Sequence, residues 1–336
     1  MKTDTGIYYW AHMLDEAMNA KCQALSEEEG ISNNDVYLAN MAKSFGDKAW
    51  FLKYIPKDVS MIVDFGGGSG EFCEYIRGKL GNEVKCVIID NNSTFLKGAA
   101  AKGLECFASL QELREAKGLE LSNALLVLSS VIHEVYSYAD EFYDDVGVFW
   151  SDIKKCGFRC IAIRDMSYDE HAMKNAPVDA ILWVYENILK SPTIAFKGIP
   201  FKDITDSFES VWGPICNPVT RKVNTKQLFH FLIKYRYQEN WSREVEENYL
   251  PVSQEKLAKW LTSFMPYAFK HKESSKLEFY HKCWAKDLKL NTPDNHNYKK
   301  QFLNWLMTLN THIKWFLQRS ANKQLGNVDE SKAAYL

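Results

Sequence analysis

The chain has 336 residues, room for one large domain or two ordinary ones, and its 46% hydrophobic and 25% charged residues argue against a disordered or fibrous protein. It contains no run of 18 uncharged apolar residues, and Met1–Ile7 has no apolar signal region, so a cytoplasmic protein with no membrane contact is expected. The net charge of −2 conceals an asymmetry: residues 219–324 hold 19 Lys+Arg against 9 Asp+Glu, and residues 1–218 hold 21 against 32, so an anionic partner is weighed against a solvated helical surface.

Residues 7–50 read as two or three leading helices, with Trp10, Met13, Leu14, Ala17 and Met18 on one apolar face. Pro56 and Asp58 end that approach. The stretch Met61-Ile-Val-Asp64-Phe-Gly66-Gly67-Gly68-Ser-Gly70 then reads as a buried strand, a tight turn and a helix start. The glycines let the backbone turn sharply and come close to a ligand. A dinucleotide fingerprint would need glycine at position 71, where Glu71 stands, and no Gly-Lys-Ser/Thr follows for a P-loop. Val84–Asp90 is the second strand, again with an acid at its carboxyl end. Asp90 follows Gly66 by 24 residues, and its two oxygens suit a pair of ribose hydroxyls.

Asp64-x-Gly66-x-Gly68-x-Gly70 resembles the first motif of the class I S-adenosylmethionine-dependent methyltransferases, an acid followed by three alternate glycines. The resemblance covers roughly residues 45–190 and the last strand. It implies a doubly wound, mostly parallel seven-stranded α/β sheet with an antiparallel final strand, leading helices and a C-terminal helical insertion. It also implies S-adenosylmethionine as cofactor. Gly66, Gly67, Gly68 and Gly70 would admit the cofactor, Asp90 and Asn91 would meet its ribose, and Asp64 would orient the turn or the cofactor's amino group. After the third strand, where the family often carries an acid or amide for the adenine, this chain offers Ala108 and Ser109.

The fourth strand, Asn123–Ser130, runs into Val131-Ile-His133-Glu134-Val-Tyr136, which resembles the family's fourth motif. This places Ser129 and Ser130 beside the cofactor. There is no Asn/Asp/Ser-Pro-Pro-aromatic sequence and no Pro-Cys dipeptide, so the motif looks closer to enzymes methylating oxygen, nitrogen or activated carbon. His133 is the candidate base for the acceptor's proton and Glu134 its candidate orienter; the alternative is a histidine that hydrogen-bonds the backbone. An acidic amphipathic helix is expected over 137–155. The fifth strand, Gly157–Arg164, ends in Arg164-Asp165, a pair that either reaches substrate or ties down a loop.

Beyond residue 190 the pattern is interrupted. Ala176–Leu189 supplies a helix, six Pro and Gly residues between 192 and 218 mark a loop-rich passage, and Thr225 caps a long helix toward Tyr249. Lys234, Arg236 and Trp241 in that segment are candidate substrate contacts: cations for phosphates, an aromatic ring for a base. Ser253 caps another helix, and Thr311–Gln318 is the last strand, its partner lying in 265–285 or 297–309. The expected layout is leading helices to 58, a cofactor core over 59–190, an insertion over 191–310, the last strand at 311–320 and a tail. None of the eight cysteines forms Cys-x-x-Cys, and no His/Asp cluster has ligand spacing, so reduced thiols and no metal are expected. Three functions remain open: methyl transfer to RNA or DNA, methyl transfer to a small molecule under an aromatic lid, and cofactor binding without turnover.

Overall fold

Five residues with no polar break except Asp64 make β1 (Met61–Phe65), four of them buried because neighbouring strands cover both edges and helices cover both faces. The protein is described by a computed structural model covering residues 44–81, 84–139, 142–217, 219–238, 241–275, 278–290 and 297–320. The leading helices expected before residue 44, and Cys22 with them, lie outside those residues. Within them, α1 (Phe45–Lys48) runs into a 3-10 turn over Ala49–Tyr54.

The βα alternation then proceeds as the apolar periodicity predicts. Beyond β1 come α2 (Glu71–Leu80), β2 (Lys85–Ile89), α3 (Ser93–Ala101), β3 (Glu105–Phe107), α4 (Leu110–Lys117) and β4 (Ala124–Ser129). Local chemistry sets the boundaries. Gly81, at φ 77°, stops α2, while Asn92 starts α3 by accepting from the Thr94 and Phe95 amides. α5 (Ile132–Ser137), α6 (Phe142–Cys156) and β5 (Cys160–Met166) follow. The helix expected over 137–155 is α6, which begins at Phe142, while Ser137 ends the short α5 before it.

Two short hairpins stand apart, β6 (Ala195–Phe196) with β7 (Ile199–Pro200) and β8 (Cys216–Asn217) with β9 (Lys222–Val223), and the seven-stranded sheet has the order β10-β11-β5-β4-β1-β2-β3, where β10 is Tyr267–Ser275 and β11 is His312–Arg319. β11 is antiparallel to both neighbours and the pairs among β1 to β5 are parallel. The last strand's partner is thus found within 265–285. Alternation along each strand sends Met61, Val63, Leu126 and Ile163 into one core and Ile62, Val127 and Ala162 into the other.

A third core lies off the sheet. It gathers α7 (Glu170–Lys174), α8 (Val178–Val184), α9 (Phe201–Trp212), α10 (Thr225–Lys234), α11 (Trp241–Glu244), α13 (Glu278–Asp287) and α14 (Asn297–Leu306) around Phe208, Phe229, Tyr235, Trp284 and Phe302. This cap arises from two segments, one between β5 and α12 (Gln254–Ser263) and one between β10 and β11. The layout expected from sequence is corrected in two respects. α8 packs with the cap rather than with the 59–190 core, and Val252, Leu257, Trp260 and Tyr267 pack on the sheet although they fall within 191–310.

The loop-rich passage also contains a helix. In α9 the residues Phe201, Ile204, Thr205 and Phe208 are buried at helical spacing, with Pro200 and Gly213 as its two ends. Pro before a helix and Gly after it mark boundaries, and so read as loop when taken alone. The long helix expected from Thr225 to Tyr249 breaks after Lys234, which turns residues 243–249 back toward α5.

Candidate functional site

The glycine turn closes the carboxyl end of β1, and Gly66 N and Gly67 N both donate to Ile89 O, at 2.8 and 3.3 Å. Gly68 sits at φ 56° with no atom within 4 Å of where a Cβ would project, whereas a Cβ at Gly70, φ 88°, would meet Leu104 Cδ1 at 2.3 Å. Gly70 is therefore glycine for packing, and Gly68 leaves room above the sheet edge. Gly68 N donates to Asp90 Oδ2 and Asn92 N to Asp90 Oδ1, both at 2.9 Å. The acid at the end of β2 thus tethers the turn and the start of α3 together. Asn91 beside it is half-buried.

Asp64 lies beneath the turn, 4% exposed. Burial pushes its carboxyl up to about 7 despite the opposing pull of Lys48, and the charge of Asp90 adds to the rise. At the end of β3, the Ala108 amide donates to Glu112 Oε2 at 2.9 Å while Ser109 Oγ accepts from Glu112 N at 3.1 Å. Both positions are engaged in starting α4, a capping arrangement legible as Ser-x-x-Glu.

At the end of β4, Ser129 Oγ is buried with no hydrogen-bond partner among the described residues, and Ser130 takes the left-handed conformation, φ 58°. Strain of this kind in a non-glycine residue gathers at functional sites. Ser130 N donates to Arg164 O at 2.6 Å and Ser130 Oγ accepts from Arg164 Nη1 at 3.0 Å.

His133, on α5, is 4% exposed, and its Nδ1 lies 2.7 Å from Asp165 Oδ1. Asp165 in turn accepts from the amides of Val131, Ile132 and His133 through Oδ2 and of Met166 through Oδ1. Burial alone would pull the imidazole down; the Asp165 carboxylate outweighs it and holds His133 up at about 9. The same pairing, with those amides, keeps Asp165 below the usual carboxylate range against the effect of burial. Among the described residues no hydrogen-bond partner falls on Nε2, and the ring meets Tyr249 of the cap edge-on at 5.0 Å. Glu134 faces Arg243 Nη2 at 3.5 Å, and burial pushes it up to about 7 although His133 and Arg243 oppose this. Successive residues of a strand point to opposite faces, so Arg164 and Asp165 do not pair with each other. Asp165 takes His133, and Arg164 Nε donates to Asp47 Oδ2 at 2.8 Å.

An acid-tethered glycine turn, a strained serine and a carboxylate-anchored histidine all lie at the carboxyl edge of a sheet ordered in this way. The sheet is of the methyltransferase type. No family model and no curated protein matches the chain. Among solved structures it is similar to the plantazolicin methyltransferase BpumL in complex with SAH, at 10% identity, TM-score 0.43, over 92% of this chain and 95% of that one. It is also similar to geranyl diphosphate C-methyltransferase from Streptomyces coelicolor A3(2), at 8% identity, TM-score 0.40, over 88% and 89% of the two chains. A SAM-dependent methyltransferase from Methanosarcina mazei aligns at 10% identity, TM-score 0.39, over 80% and 97%. These likenesses are remote, and the strand order carries the fold without them.

The remaining sequence candidates sit in the cap. Lys234 is fully buried, its ammonium donating to Glu247 O beneath the rings of Tyr249 and Trp212, and burial pulls it down to about 7. Arg236 pairs with Asp287, and Trp241 Nε1 donates to Ser207 Oγ at 3.0 Å. Lys234 is enclosed by the cap core, and the polar ends of Arg236 and Trp241 are engaged by Asp287 and Ser207 within the cap. Asp165 was read only together with Arg164, as a pair that reaches substrate or ties down a loop, and its bond to His133 was not foreseen. Residues to which sequence reasoning gave no role at the site are Asp47, Tyr249 and Glu247. These reach the site through tertiary contacts more than 100 residues long in sequence, such as Tyr138 with Glu247 at 2.7 Å. No group of three metal-ligating side chains occurs among the described residues.

Proposed function

We propose that the protein is an S-adenosylmethionine-dependent methyltransferase that methylates an oxygen or nitrogen of a small protic acceptor enclosed between the sheet edge and the cap. The observation that carries this reading is the bond from Gly68 N to Asp90 Oδ2, which fixes an open turn against the acid at the end of β2. Ser129 Oγ, buried one strand away with no hydrogen-bond partner among the described residues, fits a polar ligand lying across the ends of β1 and β4. When bound, S-adenosylmethionine supplies an electrophilic methyl group on a sulfonium. This chain's own residues bind, orient and move a proton. The turn admits the ligand, Asp90 holds ribose hydroxyls, and the cap segment that brings Tyr249 onto His133 excludes water. His133 Nε2 takes the acceptor's proton, while Asp165 holds the ring by Nδ1 and balances its charge. An imidazole held at about 9 is mostly protonated at neutral pH, so proton removal by His133 grows as pH rises toward that value.

A nucleic-acid acceptor draws its support from the basic C-terminal third. That support is weakened because Lys234 and Arg236 are taken up internally and Arg243 is tied to Glu247 at 2.8 Å. The test is calorimetric titration with S-adenosylmethionine on the wild type and Asp90→Ala in parallel. The expected result is micromolar binding, weakened at least tenfold in the variant. A wild type that binds no S-adenosylmethionine overturns the reading. RNA binding that falls steeply with added salt would favour the nucleic-acid acceptor instead.

A further inference from the structure

Tyr237, just past α10, is 39% exposed, although Tyr249 and Tyr280, which it touches, are 6% and 4% exposed. Its hydroxyl is not the open part. It shares a hydrogen bond of 2.8 Å with the Tyr280 hydroxyl, and burial pushes its pKa above the ordinary value. What stays open is the ring. Among the described residues no other ring stacks on it, and Tyr249 meets it nearly at right angles, at 77° and 6.2 Å.

Two sets of contacts hold this ring over the carboxyl edge of the sheet. On one face of the sheet, Tyr249 meets His133 at 5.0 Å. On the other, Tyr280 lies against His312 of β11 at 6.3 Å, and the Arg164 guanidinium acts on the hydroxyls of both Tyr237 and Tyr280. Tyr237 thus spans the strand ends between His133 and Arg164. A ring locked by its own hydroxyl and otherwise bare offers a flat π surface, and aromatic rings gain more from such a surface than saturated ones do. Nearby, His133 holds Asp165 through Nδ1, and among the described residues nothing bonds to its Nε2.

We infer that the acceptor is a phenol, its ring stacked on Tyr237 and its hydroxyl directed at His133 Nε2. This rests on the function proposed above and narrows its acceptor. The hydroxyl proton passes to Nε2 while the phenol oxygen bonds to the methyl carbon and the carbon–sulfur bond breaks. The strength of the base agrees with this acceptor. An imidazole held at about 9 is matched to a hydroxyl that ionises near about 10, as a phenol does, and is far too weak a base for an aliphatic alcohol.

The experiment is calorimetry on protein saturated with S-adenosylhomocysteine, using phenol and cyclohexanol as probes, on wild type, Tyr237→Leu and Tyr237→Phe. The wild type is expected to bind phenol at least fivefold more tightly than cyclohexanol. Tyr237→Leu keeps apolar bulk without a ring; it should lose roughly 3- to 10-fold for phenol, the scale of an aromatic pair, and less than twofold for cyclohexanol. Tyr237→Phe keeps the ring and should stay within threefold of wild type for both probes. No phenol binding, equal wild-type affinities, or equal losses for both probes in Tyr237→Leu overturn the inference and leave the cofactor reading standing. A larger loss for phenol in Tyr237→Phe overturns it as well, because the hydroxyl rather than the ring would then carry the contact. Failure of the wild type to bind S-adenosylhomocysteine overturns the cofactor reading itself.

Discussion

The sheet and the cap bury polar groups by different rules. In the sheet, the buried polar side chains Asp64, Arg164 and Asp165 lie at the carboxyl edge of the parallel strands, and register decides who meets whom: Arg164 and Asp165 are adjacent in sequence but serve Asp47 and His133 on opposite faces. In the cap, cations are scattered among aromatic rings and hydrogen-bonded locally, as Lys234 is to Glu247 O between Trp212 and Tyr249. A strand presents its ends to one shared edge, so charges collected there face a common space. A helical bundle has no such edge, and each charge must be satisfied where it falls. Basic composition in the cap is thus a poor guide to what the cap binds, whereas one glycine turn in the sheet locates a site.

This contrast can be broken most severely from the cap side. Trp284 is fully buried among Phe229 and Tyr280, its Nε1 donating to Leu232 O at 2.8 Å. Trp284→Ala is expected to cost about 3–5 kcal/mol in urea denaturation. At temperatures where the variant is folded, its affinity for S-adenosylhomocysteine should stay within threefold of wild type; a parallel loss would show that the cap shapes the cofactor site directly.

The next effect sharpens the sheet side through pH. His133 is held at about 9 in the folded protein, above its unfolded value near 6.5, so the protonated form favours folding. That stability is complete below about pH 6.5 and is lost as pH rises through about 9, on the order of 2–3 kcal/mol. Denaturation of the wild type at pH 6 and pH 9.5 measures it, and His133→Gln should flatten the difference. A slope that survives in the variant would assign it to other groups.

The glycines separate architecture from ligand space. Gly70→Ala forces a Cβ onto Leu104 at positive φ and is expected to cost about 2 kcal/mol of stability. Gly68→Ala meets no protein atom and should cost about 1 kcal/mol, yet weaken S-adenosylhomocysteine binding at least tenfold. Unchanged cofactor affinity in Gly68→Ala would mean that the space above the turn is not where the ligand lies.

Much of this protein was written locally. Runs of branched apolar residues, glycine stops and Asx or Ser caps determined the strands and helices of the sheet core. Asp64, the glycines and Asp90 marked its edge, because each signal acts within a few residues of chain. The antiparallel last strand and the candidacy of His133 followed from a resemblance in short motifs. What the sequence alone left undecided depends on contacts between distant segments. These include the division of the cap between two separate segments and its capture of the basic side chains of α10. They also include the attachment of His133 to Asp165, and the meeting of Asp47 with Arg164 and Lys314 across 117 and 267 residues. Such partners carry no local periodicity; they are chosen only when strand register and cap packing bring separated elements to the same edge of the sheet.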